Sequence, residues 1–180
     1  MPKDTLDIID TAVKIGLGAL ISGFSTYFVT SKNHSAEKSK KLIEKRIQIL
    51  EFSTENIEPY FYALRNYASK LDGSLKHGLP PGKTTSKVLT EHKLRERDAA
   101  VIEYREKKAV AISRLKLIGE EKVTNKLKEV SELENEFRQI LIFEKTIMTP
   151  EELNDWRQRL KHSIDDYYEA LQVAFESTYS

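Results

Sequence analysis

The residues with chemical potential are scattered along the chain, and their spacing argues against an enzyme. The histidines fall one to a segment, at positions 34, 77, 92 and 162, and none stands in the H-E-x-x-H or E-x-x-H spacing of helical metal sites. The chain contains no cysteine, which excludes thiolate nucleophiles, disulfides and Cys-based metal sites. No G-x-S-x-G motif is present either. We therefore predict no catalytic residues, no metal site and no cofactor.

Segment 78–84, GLPPGKT, invites comparison with the phosphate-binding pattern G-x-x-x-x-G-K-[ST]. Only three residues separate its glycines where the pattern needs four, and two of these are prolines, which have no amide hydrogen to offer phosphate. No β-strand is predicted before it. The pattern therefore favours a connection between helices over a nucleotide site.

Two groups of acidic residues resemble the carboxylate pairs that perform acid–base chemistry. They are Asp165-Asp166 with Glu169, and Glu134 with Glu136. Neighbouring acids on amphipathic helices are typical of solvated surface, and we interpret both groups in that way.

Composition points to the elements that must carry these residues. The chain has 180 residues, of which 32% are charged, with only 7 glycines and 5 prolines. Such a composition favours helices over turn-dense β folds, and we predict an all-α fold. The formal net charge of +1 gives the whole chain no bulk attraction to nucleic acid or to acidic lipid.

The strongest signal is an apolar stretch near the start of the chain. Residues 15–29 contain no charge, and the stretch extends past Lys14 to Ile8. A helix over residues 8–30 would be about 34 Å long at about 1.5 Å per residue, against about 30 Å for the hydrocarbon core of a bilayer. We predict one transmembrane helix, within an N-terminal segment of residues 1–30.

Three other interpretations of this stretch stay open. A cleavable signal peptide would have the wrong charge, because three aspartates precede residue 11, and no A-x-A-like cleavage site follows. A buried helix of a soluble protein is favoured by the hydroxyl residues at positions 22, 25 and 26. A helix lying flat in the membrane interface fits less well, since the polar residues do not gather on one charged face.

The residues after the apolar stretch predict its orientation. Residues 31–50 hold six basic and two acidic residues, a net charge of +4, and the N-terminal flank has no such excess. By the positive-inside rule, the N-terminus lies outside and the rest of the chain is cytoplasmic. Within this region we define a basic juxtamembrane segment, residues 31–41. The expected contacts with anionic lipid headgroups are Lys32, Lys38, Lys40, Lys41, Lys45 and Arg46.

Small residues form one stripe along the predicted span. Such stripes let helix backbones approach closely, which drives helix association in lipid. The stripe consists of Ala12, Gly16, Ala19, Gly23, Thr26 and Thr30. The opposite face is bulky. We expect the spans to associate with one another, although glycine in a single span can also be tolerated without a partner.

A long first helix of coiled-coil character should follow the basic segment. Its apolar residues alternate in spacing between four and three, which is typical of a coiled-coil or bundle seam. The seam residues are Ile43, Ile47, Leu50, Ile57, Phe61, Leu64 and Leu71. Pro59 lies within the seam without shifting its phase, which predicts a kink and not a stop.

The remaining chain completes an antiparallel, four-helix-type bundle over residues 42–180. A loop at 72–86 separates the first helix from a second helix at 87–118, which should point Ala109 inward. Gly119 ends that helix, and a third runs to about residue 146. Thr149, Pro150 and Glu152 form a capping-box pattern, which predicts the start of a fourth helix that ends near residue 176.

The second helix carries a basic excess that must be weighed as a nucleic-acid surface. Ten Lys or Arg face five acids between residues 83 and 116. The acids stand three or four residues from the bases, as on a self-paired helix, and no aromatic platform accompanies them. The pattern argues against nucleic acid as a partner.

These features predict a membrane-anchored, non-enzymatic interaction or assembly module. The expected location is the cytoplasmic (inner) membrane, crossed once. The expected partners are the lipid bilayer, further copies of the chain and an unidentified cytosolic protein. One alternative is an effector whose clustered spans perturb the bilayer, as a toxin or defence protein does; another is a soluble, all-helical regulatory protein.

Overall fold

The structure, a computed structural model, describes the backbone of residues 5–178 and the side chains of residues 37–178. Helices account for nearly all of this part, which confirms the predicted all-α class. The chain divides into two compact units, Met1–Lys45 and Arg46–Ser180. The helices of the described chain are α1 (Thr5–Lys76), α2 (Ser86–Glu91), α3 (Leu94–Glu103), α4 (Arg105–Leu117), α5 (Glu121–Arg138) and α6 (Pro150–Glu176).

The N-terminal unit contains the first part of α1. Within its described side chains, residues 37–45 are exposed, and Lys41 pairs with Glu37 one turn earlier at 2.8 Å. The predicted span and its stripe of small residues fall in residues 1–36, whose side chains lie outside the described part. Across the part of the chain that the structure describes, no helix combines the length and the apolar character that crossing a bilayer requires.

The second unit is a helical bundle with one apolar core. Trp156, Phe137 and Tyr67 lie at its centre and are at most 1% exposed. The rings of Phe137 and Trp156 stack with centroids 4.2 Å apart, and Tyr67 meets Phe137 edge-on at 5.0 Å. Such aromatic contacts contribute about 0.5–1.5 kcal/mol beyond the burial of their area.

The predicted second helix is wrong in its continuity. The segment forms three helices, because Lys93 adopts a left-handed conformation (φ 57°) and the helix is interrupted again at Tyr104. The buried residues of α4 are Lys108, Ala111 and Leu115, at spacings of three and four. Ala111 is buried in place of the predicted Ala109, which is exposed.

The predicted loop and third helix also end differently from the expectation. α1 extends to Lys76, so the connection begins at His77 and not at residue 72. α5 passes into a π-helical turn, Gln139–Phe143, and not into further α-helix. Two short strands, β1 (Gly82–Lys83) and β2 (Thr146–Ile147), then pair antiparallel and join these two connections.

The first predicted helix is part of the longer α1, and the fourth predicted helix lies where the sequence placed it. α1 continues through Pro59 without interruption. At the start of α6, the Thr149 hydroxyl accepts a hydrogen bond from the Glu152 amide at 3.2 Å, and the Glu152 carboxylate accepts one from the Thr149 amide at 2.8 Å. This reciprocal capping box confirms the predicted start of the helix.

Candidate functional site

The most buried charge in the described chain is the Glu134 carboxylate on α5, which is 1% exposed. Its Oε2 accepts hydrogen bonds from the Lys108 ammonium at 2.7 Å and from the Tyr60 hydroxyl at 2.8 Å. Its Oε1 accepts two from the Arg105 guanidinium, at 2.9 and 2.6 Å. A carboxylate has about four acceptor positions, so these four bonds leave none for a substrate. We call these four residues the Glu134 cluster.

The Glu134 cluster joins three helices, and each helix places its residues by its own periodicity. Arg105 and Lys108 are three residues apart, which brings both onto one face of α4. The Lys108 ammonium also lies 4.2 Å from the centre of the Tyr60 ring on α1, a cation–π contact. The cluster therefore fixes α1, α4 and α5 to one another through polar contacts inside an apolar core.

Burial and the charge of the partner shift the pKa in opposite directions at Glu134 and Lys108, and in the same direction at Tyr60. Burial raises the pKa of Glu134, but hydrogen bonds and charge from Lys108, followed by Arg105 and Tyr60, outweigh it and hold the pKa below its ordinary value. Burial lowers the pKa of Lys108, and Glu134 offsets part of that effect. Burial also raises the pKa of Tyr60, reinforced by the neighbouring carboxylate. The stable state is an ionised Glu134 with a neutral Tyr60.

Two further polar contacts tie the helices of the bundle together. Arg138 on α5 donates to the two carboxylate oxygens of Asp98 on α3, at 2.5 and 3.2 Å, and both residues are buried. At another point, Arg46 donates through Nε to Glu120 at 3.0 Å and through Nη2 to the Ser177 hydroxyl at 3.2 Å. These pairs are structural contacts, because each charged group is engaged by its partner within the fold.

An open, mostly apolar groove of about 670 Å³ runs between α1 and α6. We call it the α1–α6 groove. At its edge, the Tyr168 hydroxyl donates a hydrogen bond to Glu58. The groove differs from the Glu134 cluster in that all its lining side chains except Leu50 are at least partly exposed. Its lining includes Leu50, Glu51, Glu55, Tyr168, Leu171 and Phe175.

The structure separates the residues of the predicted seam into two groups. Ile43 is 39% exposed and Ile47 is half-buried, so the N-terminal end of the seam is open to solvent. The seam residues that lie in the core are Leu50, Ile57, Phe61, Leu64 and Leu71.

The predicted headgroup-contacting residues also differ among themselves. Lys38, Lys40, Lys41 and Lys45 are exposed, whereas Arg46 is taken up by Glu120. Lys32 and the small-residue stripe lie outside the described side chains.

The Glu134 cluster was not predicted from the sequence, because neighbouring acids such as Glu134 and Glu136 are typical of solvated surface. The structure places Glu134 in the core and Glu136 at the surface, where it pairs with Arg159 at 2.6 Å. One signal was available, since Glu134 is four residues after Val130 and three before Phe137, both core residues. An acid at a core position of an amphipathic helix calls for a buried cation, and the sequence alone does not say which helix supplies it.

Two further features that the sequence analysis considered can be located in the part of the chain that the structure describes. No group of three or more potential metal ligands converges there. Lys83 in the loop compared with a phosphate-binding pattern donates instead to the Glu144 carbonyl at 3.1 Å and to the Thr146 hydroxyl at 3.0 Å.

Comparison with known proteins does not add a family to this description. No protein-family model matches the chain, and neither curated proteins nor solved structures give a match.

Proposed function

We propose that the chain is a membrane-tethered, non-enzymatic interaction module. In this proposal residues 8–30 cross the cytoplasmic (inner) membrane once, with the N-terminus outside. The antiparallel helical bundle faces the cytosol and binds a partner protein there. The spans of several copies associate through the small-residue stripe, which raises the local concentration of the bundles.

The tether is supported by the sequence on both sides of the span. Residues 15–29 carry no charge, and the six basic residues that follow satisfy the positive-inside rule. Four of these, at positions 38, 40, 41 and 45, are exposed and thus accessible to lipid headgroups at the start of the chain's cytosolic part.

The Glu134 cluster is the single observation that carries the non-enzymatic part of the proposal. Catalytic acids and bases need an open position toward the substrate. Glu134 instead uses all its acceptor positions for Tyr60, Arg105 and Lys108, and no residue of the cluster lines the α1–α6 groove. The buried charges therefore serve to hold a rigid platform, and the exposed apolar groove supports binding as the role of that platform.

The proposal is tested by locating the full-length chain in cells. A reporter fused after Ser180 should read as cytoplasmic, and the chain should stay with the membrane after carbonate washing. Release of the chain into the supernatant without detergent would favour the soluble regulator. Ion leakage from expressing cells would favour the membrane-perturbing effector.

A further inference from the structure

The α1–α6 groove offers apolar surface of the kind that binds an amphipathic helix. Its accessible apolar surface comes from Leu171 and Phe175 on α6, of which Phe175 is 38% exposed, whereas Leu50 on α1 also lines the groove but is only 2% exposed. A volume of about 670 Å³ accommodates several large side chains. An amphipathic helix presents side chains of this kind at i, i+3 or i+4, and i+7, which is the usual way that helices bind in apolar grooves.

The α1 wall of the groove is acidic, and none of the residues that line the groove is basic. Glu51 and Glu55 line the groove on one face of α1, and both are exposed. Neither makes an ion pair with any residue whose side chain is described. The field at the groove therefore attracts cations.

We propose that the α1–α6 groove binds a basic amphipathic helix of a separate cytosolic protein. Apolar residues of that helix lie on Leu171 and Phe175, and its Lys or Arg residues face Glu51 and Glu55. This inference rests on the proposed function, since it names the class of partner that the module recruits.

A second copy of the chain is a poorer occupant. Its basic residues 38–46 have suitable charge, and Leu42 among them is 63% exposed. However, two parallel copies tethered in one membrane would hold equivalent residues at the same depth. Lys41 precedes Glu51 by ten residues, or about 15 Å along a helix at about 1.5 Å per residue, so Lys41 of one copy would not reach Glu51 of the other. Docking of one copy on another would require one span to leave its depth in the membrane.

The experiment uses the purified full-length chain and two fluorescein-labelled 18-residue peptides. Both peptides carry leucines at helical spacing; the flanking residues are lysine in one and glutamate in the other. Fluorescence anisotropy should show binding of the lysine peptide, with the glutamate peptide at least about tenfold weaker. The double variant Glu51→Gln with Glu55→Gln should bind the lysine peptide about fivefold more weakly, from about 0.5 kcal/mol for each exposed pair.

Two further variants separate groove binding from general attraction. Glu96→Gln with Glu103→Gln removes the same charge from exposed positions of α3 and should leave the affinity unchanged. Leu171→Lys alters the floor and should abolish binding. Circular dichroism melting of each variant confirms that it is folded.

The inference would be overturned by equal binding of both peptides, by no binding of either, or by an unchanged affinity in the Glu51 and Glu55 variant. A peptide of residues 36–48 of this chain serves as a third probe, and tighter binding of that peptide than of the designed one would identify a second copy as the occupant. None of these measurements involves a membrane. Failure of the inference would thus leave the reporter and fractionation tests of the tether unaffected.

Discussion

Glu134 on α5 and Lys108 on α4 form an ion pair of 2.7 Å inside the core, with side chains 1% and 11% exposed. Two opposite charges removed from water stabilise a fold only where each is fully hydrogen-bonded. Here Tyr60 and Arg105 complete the shell of the carboxylate. The pair therefore links α4 to α5 by a charged contact inside the apolar core. We expect its loss to lower the free energy of unfolding of the bundle.

Glu134→Gln should destabilise the bundle by about 3–5 kcal/mol, because it leaves the buried Lys108 without its counter-charge. Urea unfolding followed by circular dichroism measures this loss as a change in the free energy of unfolding. The neighbouring exposed Glu132 provides the control, and Glu132→Gln should stay within about 0.5 kcal/mol of the parent chain.

Replacing both Glu134 and Lys108 tests whether the two charges stabilise the fold through each other or whether each substitution acts only through lost packing. The double variant Glu134→Leu with Lys108→Leu should cost less than the sum of the two single substitutions, because it leaves neither charge buried alone. Strict additivity would contradict the coupling that the 2.7 Å contact implies.

The stability of the bundle should decrease in acid partly through Glu134. The pKa of this carboxyl is lowered in the folded state, so its contribution is present above the pKa of the unfolded chain and is lost as pH falls through the folded pKa. In urea titrations at decreasing pH, the difference in stability between the parent chain and Glu134→Gln should therefore narrow. A difference that stays constant into strong acid would reject this assignment.

Thr149→Ala should remove the cap of α6 and cost about 1 kcal/mol in the free energy of unfolding. The Thr149 hydroxyl accepts the Glu152 amide proton at 3.2 Å, and alanine cannot replace that bond. Gln158 is exposed on the same helix, and Gln158→Ala should leave stability nearly unchanged. Equal effects of the two substitutions in urea unfolding would show that the cap contributes nothing.

Gly16→Leu combined with Gly23→Leu should disrupt self-association in membranes, since leucine prevents close approach of the helix backbones. Cross-linking in native membranes measures the fraction of oligomer. On the opposite face, Leu17→Ile with Ile21→Leu preserves bulk and should leave that fraction unchanged. An oligomer distribution that survives the glycine substitutions would reject the stripe as the contact.

Local signals in the sequence were sufficient for several elements of the fold. The capping box at Thr149 located the start of α6, and helical periodicity along α1 identified five residues that lie in the core, namely Leu50, Ile57, Phe61, Leu64 and Leu71. A cap and an apolar stripe each involve residues within one or two turns, so their physics is contained in a short stretch of sequence. The membrane tether and the association of the spans are predictions that likewise rest on short stretches of sequence.

The tertiary structure decided what depends on distant residues. Tyr60 lies 48 residues from Lys108 and 74 from Glu134, and no local rule pairs them. The left-handed Lys93 that divides the second helix, and the exposure of Phe175 in the α1–α6 groove, likewise depend on how the helices pack. Sequence alone determined which faces of the helices are apolar, because that follows from spacing along one chain segment. Which buried charges meet, and which apolar faces remain open, follow from the packing of segments far apart in sequence.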